Sequence, residues 1–247
     1  HTGRFNGEDI IDVICSQPDT AKFVARHLYN FFVADEPPVP SWSDTAPHNP
    51  EAVQLLADEY LRTNGNIRCM LRLLFNAQFF TENRLARVKS PTELVAGTAR
   101  LAGSHQFPDW SIVNLAMDVN FMGQEILNPP SVEGWHTGSE WIDTGNLVER
   151  INSAALEMGN INLPGVRDII GKVRNTGDTL TPRQFVDACL KAMGLFEVSE
   201  STRIHLTAYA ERLKDLRFDR PDLVSCSEQR IGEMLQLIVA TREYQLT

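Results

Sequence analysis

Gln17-Pro18-Asp19-Thr20-Ala21-Lys22-Phe23-Val24-Ala25-Arg26-His27-Leu28-Tyr29-Asn30-Phe31-Phe32-Val33-Ala34 is the stretch that decides the fold class. Ala21, Val24, Leu28, Phe31 and Phe32 recur at three- and four-residue steps, which places them on one stripe of a helix with Lys22, Arg26 and Asn30 opposite. A core-facing helix about 25 Å long follows.

Working outward, the same grammar repeats. Asn49-Pro50-Glu51 supplies a cap, a first-turn proline and an acidic group at the positive helix end, before Val53, Leu56 and Tyr60. Asn64-Gly65-Asn66 breaks the chain ahead of the stripe Ile67, Met70, Leu71, Leu74 and Phe75. Ser90-Pro91-Thr92-Glu93 reads as a capping box opening a helix at about 91–102. Thr181-Pro182-Arg183-Gln184 and Ser225-Cys226-Ser227-Glu228 read the same way, and Ser199 to Leu216 reads as a surface helix. With Glu8 to Cys15, Ser111 to Ile126 and Gly145 to Met158 the total is about ten helices, an all-α irregular bundle with little or no sheet.

Residues 35–48 are a proline-rich loop, and the Gly/Asn/Thr-rich stretch 160–180 is the expected connector between a main bundle, 1–159, and C-terminal helices 181–247 packing on it. Met70-Leu71-Arg72-Leu73-Leu74-Phe75 resembles Met234-Leu235-Gln236-Leu237-Ile238-Val239, with Phe80 and Tyr244 at the same offset, a hint of a duplicated terminal helix.

Composition narrows the function classes. The 247 residues carry 43% hydrophobic and 22% charged side chains, ordinary for a folded soluble chain. A formal net charge of -9 repels a phosphate backbone, so nucleic acid is not an expected partner. No apolar run is long enough to span a membrane. Cys15, Cys69, Cys189 and Cys226 have no zinc spacing and read as buried thiols, with long-range disulfides the alternative. The histidines are scattered and no metal or cofactor is expected. The phosphate-loop, dinucleotide and serine-hydrolase signatures are missing. The first residue, His1, reads as a processing site or a fragment boundary.

One segment departs from helix. Between Met122 and Asn152, Pro129-Pro130 stops a helix, Gly134 and Gly138 supply turns, and Trp135 and Trp141 place two indoles in a loop with Glu133, His136, Glu140 and Asp143. The tryptophans read first as plugs sealing the core, with Gln124 and Arg150 pairing to backbone carbonyls. A sugar-stacking pocket is the second reading, and acid–base chemistry by Glu133, Glu140 or Asp143 the third. Lys89, just before the capping box, reads as solvated or as an anion ligand aided by that helix N-terminus.

Lys89-Ser90-Pro91-x-Glu93, Met122-Gly123-Gln124, Pro129-Pro130-x-Val132-x-Gly134-Trp135, Gly138-x-x-Trp141-Ile142 and Arg150-x-Asn152 together resemble the family catalogued as domain of unknown function 1800. Gln17-Pro18-x-Thr20-Ala21-x-Phe23-Val24-Ala25-Arg26 and Ala240-Thr241-x-Glu243-Tyr244-Gln245 also fit its pattern. The resemblance implies a longer, mostly helical bacterial protein, often exported, of which this sequence looks like the C-terminal half. It further implies a genomic neighbour, domain of unknown function 1501, similar to sulfatases and alkaline phosphatases. It carries no catalytic residue, so Gln124, Trp135, His136, Trp141, Arg150, Asn152 and Lys89 stand as ligand-binding candidates only. The expected role is binding or assembly with a protein partner, either the missing half or the hydrolase-like companion. The alternative is an enzyme acting on carbohydrate or another polymer, and a purely structural surface protein is a third reading.

Overall fold

The computed structural model describes residues 3–107, 109–194 and 197–247. Those residues form twelve α-helices and one antiparallel pair of two-residue strands, an all-α fold as the periodicity predicts. None of these helices is long and apolar enough to cross a membrane. The chain divides into two compact units, His1–Val88 with His136–Ser139, and Lys89–Trp135 with Glu140–Thr247.

The first unit contains α1 (Gly7–Cys15), α2 (Pro18–Phe32), α3 (Pro50–Arg62), α4 (Ile67–Asn76) and α5 (Gln78–Glu82). Its core is Ala21, Ala25 and Tyr29 of α2 against Leu56 of α3 and Met70 and Leu74 of α4. The expected stripe on α2 is rotated. Arg26, assigned to the solvent side, is buried, and Phe31, assigned to the core, is exposed. The reason lies in the proline-rich loop, which includes a short turn at Val39–Ser41. Arg26 Nε pairs with Glu36 Oε2 at 2.9 Å, and Nη1 donates to the carbonyls of Trp42 and Thr45 at 3.3 and 3.0 Å. A buried charge met this fully can face inward.

The second unit contains α6 (Pro91–Ala102), α7 (Ile112–Phe121), α8 (Thr144–Gly159), α9 (Pro164–Arg174), α10 (Pro182–Ala192), α11 (Glu200–Arg212) and α12 (Pro221–Val239). The strands Thr179–Leu180 and Leu216–Arg217 pair beside them. α8 packs against both α6 and α12, and the core gathers Leu94, Met158, Phe185, Met234 and Leu235 around that contact. Gly165 lets α9 seat on the last turn of α6, because a Cβ there would lie 2.1 Å from the Leu101 carbonyl oxygen. Met70, Leu74 and Phe80 pack in the first core, and their sequence counterparts Met234, Ile238 and Tyr244 pack in the second.

Further expectations differ from the structure. The stretch 160–180 holds α9, whose Val166, Ile169, Ile170 and Val173 are all buried, so Pro164 marks a first helical position and not a break. The compact units part at 88/89, with residues 136–139 grouped with the first. Ser225 lies inside α12, which starts four residues earlier at Pro221. The surface helix ends at Arg212, where Leu213 closes it and Lys214 takes a positive φ of 62°, freeing Leu216 to pair as strand. All four cysteines are free thiols, but of these expected buried thiols only Cys189 is buried; Cys15 and Cys226 are exposed and Cys69 is partly so.

Candidate functional site

Three of the candidate residues, Lys89, Gln124 and Arg150, meet at the start of α6. Arg150 projects from α8 and is 0% exposed. Its Nε donates to Gln245 Oε1 at 2.9 Å, and its Nη2 donates to the Lys89 carbonyl at 2.8 Å. The Lys89 backbone amide donates to the Gln245 carbonyl at 2.9 Å. Lys89 Nζ donates to the Tyr244 carbonyl at 2.7 Å and lies 4.5 Å from the centre of the Tyr244 ring. The Tyr244 hydroxyl shares a 2.8 Å hydrogen bond with Thr98 Oγ1 of α6. Gln124 Oε1 accepts from the Thr92 amide at 2.9 Å and its hydroxyl at 2.8 Å. Four separate stretches of the second unit are thus knotted around the first turn of α6.

Two cations in this small space raise each other's cost. Burial, then the Arg150 charge, push the Lys89 ammonium down to about 8, while Glu93 works the other way. Burial pushes Arg150 down to about 10, again opposed by Glu93. Arg150 Nη1 has no hydrogen-bond partner among the described residues. The helix N-terminus itself is closed: the Ser90 amide donates to Glu93 Oε2, the Glu93 amide to Ser90 Oγ, and Thr92 to Gln124. The anion reading of Lys89 therefore finds no open backbone donor, and the ammonium is used internally.

The tryptophan loop is a different place. Trp141 is 3% exposed, in keeping with a plug, whereas Trp135 is half-buried and its Nε1 donates to the Glu125 carbonyl at 3.1 Å. Residues 136–139, including His136, belong to the first unit, while Trp135, Glu140 and Trp141 belong to the second. Gly138, at φ 60°, lies so close to Asp35 that a Cβ would meet its carboxyl carbon at 3.1 Å. Asp143 caps α8, with Oδ1 accepting the Asn146 amide at 2.9 Å and Oδ2 the Asn146 side chain at 2.6 Å. Glu133, Glu140, His136 and Asn152 are exposed. The Gln124 contact that forms is through its oxygen, which accepts from Thr92.

The sequence reading missed an open cleft of about 750 Å³ in the second unit, whose walls include His105, Asp109, Ser111, Glu157, Asn160 and Gln236. Ser111 Oγ lies 3.2 Å from His105 Nδ1 and also bonds Asp109 Oδ1. Asp109 Oδ1 is 3.9 Å from that same Nδ1. In a relay for nucleophilic attack the carboxylate holds the far ring nitrogen, so this trio is a hydrogen-bonded turn and not a triad. The one local signal was Asp109-x-Ser111, a side-chain turn ahead of α7; the opposite walls come from the end of α8, the start of α9 and Gln236 of α12, far away in sequence.

No curated protein and no solved structure matches the chain. A family model described as "Protein of unknown function (DUF1800)" does, over residues 1–246. That match runs through both units and through every motif that meets at α6, and by it the chain belongs to the DUF1800 family.

Proposed function

We propose that this protein acts by binding a partner protein, with the outward side of α7 and its flanking loops as the contact surface. One observation carries the reading. α7 is strongly apolar yet buries only Val119, and Met117 and Phe121 stand 49% and 60% exposed, with Trp110 just before the helix at 92%. Ile112, Ile126 and Leu127 extend the same apolar stretch. A surface helix ordinarily turns its apolar side inward, and a contiguous exposed patch marks an interaction site.

The family resemblance supports an exported bacterial setting, and we take the sulfatase-like companion as the occupant. Carbohydrate chemistry at Glu133, Glu140 and Asp143 has less behind it, since Asp143 is engaged in capping α8 and Trp141 is sealed from solvent. Met117→Asp with Phe121→Asp tests the proposal against the purified companion. Wild type is retained by the immobilised companion and the double variant, with unchanged circular dichroism, is not. Equal retention of both overturns it.

A further inference from the structure

The loop that follows α7 holds two apolar side chains in solvent on an ordered frame. The Gln124 amide donates to the Val119 carbonyl at 3.0 Å and fixes the start of the loop to α7. The Glu125 carbonyl accepts from both the Asn128 amide and Trp135 Nε1, each at 3.1 Å, and Glu125 Oε2 takes the Asn128 side-chain amide at 2.7 Å. Pro129-Pro130 restricts two φ angles, and the Gly134 amide closes a turn on the Ser131 carbonyl at 3.1 Å. On this frame Leu127 is 89% exposed and Val132 fully so. Leu127 also takes a φ of 67°, a left-handed conformation that bulky side chains rarely adopt. Strain of this kind collects at ligand clamps and binding loops.

The charge around α7 is of one sign. Between Arg100 and Arg150 the sequence contains no Lys or Arg, while Asp109 ahead of α7 and Glu125 and Glu133 after it are exposed. Resting on the reading of α7 as a docking surface, we propose that the partner's contact face is an apolar pocket rimmed by Lys and Arg, and that Leu127 is the side chain that enters it. Acidic groups flanking an apolar centre favour a basic rim opposite and speed its approach. A second copy would set carboxylates against carboxylates, and the anionic lipids of a membrane surface are repelled in the same way. Because the loop is already ordered, little freedom is lost when Leu127 docks.

Binding of the full chain to the immobilised sulfatase-like companion at rising salt tests this. Wild-type affinity should fall about tenfold or more from about 0.05 to about 0.5 M NaCl, chiefly through slower association. Glu125→Lys with Glu133→Lys should weaken binding about tenfold or more at the lower salt and flatten the salt dependence. Should that pair lose helix by circular dichroism, Glu133→Lys alone serves, since the loop uses the Glu133 amide and not its carboxylate. Leu127→Gly should bind about tenfold or more weakly without a lower melting temperature, because it gives up no buried contact and glycine takes this φ freely. Retention that Met117→Asp with Phe121→Asp abolishes, but that is unmoved by salt, by charge reversal or by Leu127→Gly, overturns this proposal and leaves the α7 reading standing. No retention of wild type overturns both. Flotation with vesicles of phosphatidylcholine and phosphatidylglycerol, or a dimer in sedimentation that Leu127→Gly dissolves, identifies another occupant and also overturns the proposal.

Discussion

Lys89 and Arg150 share the start of α6 with no solvent around the guanidinium, and the tie between them is testable through protons. The Lys89 ammonium is lowered from 10.5 to about 8 in the fold, so above pH 8 the folded chain binds fewer protons than the unfolded one. Its charged form is a penalty below pH 8, and that penalty is progressively relieved between about 8 and 10.5. Wild type should therefore gain stability over Lys89→Met as pH rises from 8 to 10, read as a widening difference in melting temperature; a constant difference refutes it. Arg150→Ala leaves the Lys89 carbonyl and Gln245 without their donor and opens a cavity, a loss of about 3–5 kcal/mol in urea unfolding. Arg150→Met fills the space and relieves the repulsion on Lys89, so it should cost less than the alanine. The sequence singles out all three knot residues by motif, but not their meeting, because Arg150 reaches partners 61 and 95 residues away. Arg26 shows the same limit from the other side, since periodicity cannot see the loop carbonyls and the carboxylate that let a charge turn inward.

Helix starts were the most legible elements, because a cap is local chemistry within four residues. The Ser90 and Thr181 boxes are both present, with Glu93 and Gln184 reaching back as their spacing requires. Ser225 misled because the same letters also fit a helix interior, where the true start was signalled by Pro221 at the first position. The neighbouring Ser227 does other work: its hydroxyl donates to the Arg217 carbonyl at 2.6 Å, holding α12 to the second strand. Ser90→Ala and Ser227→Ala should each lose about 1 kcal/mol, one through a cap and one through a buried hydrogen bond, whereas exposed Ser225→Ala should stay within about 0.5 kcal/mol. Chemical denaturation of the three variants checks the order, and a Ser225 effect as large as Ser90's would restore the capping reading.

At the scale of the whole chain, Gly, Asn and Thr in sequence mark surface turns, while a compact unit is defined by which side chains share a core. The buried residues form two separate clusters, one drawn from residues 21–74 and the other from 94–244, and no buried side chain belongs to both. Leu56 is 0% exposed in the first and Phe185 is 0% exposed in the second. Leu56→Ala should remove about 2–5 kcal/mol and Phe185→Ala about 3–5 kcal/mol, each from its own cluster. Hydrogen exchange read by mass spectrometry distinguishes the two possibilities. If the cores unfold separately, Leu56→Ala speeds exchange in α2, α3 and α4 and leaves α8, α10 and α12 unchanged, and Phe185→Ala does the reverse. Equal acceleration across both sets by either variant would mean one cooperative transition, in which each core depends on the other for its stability.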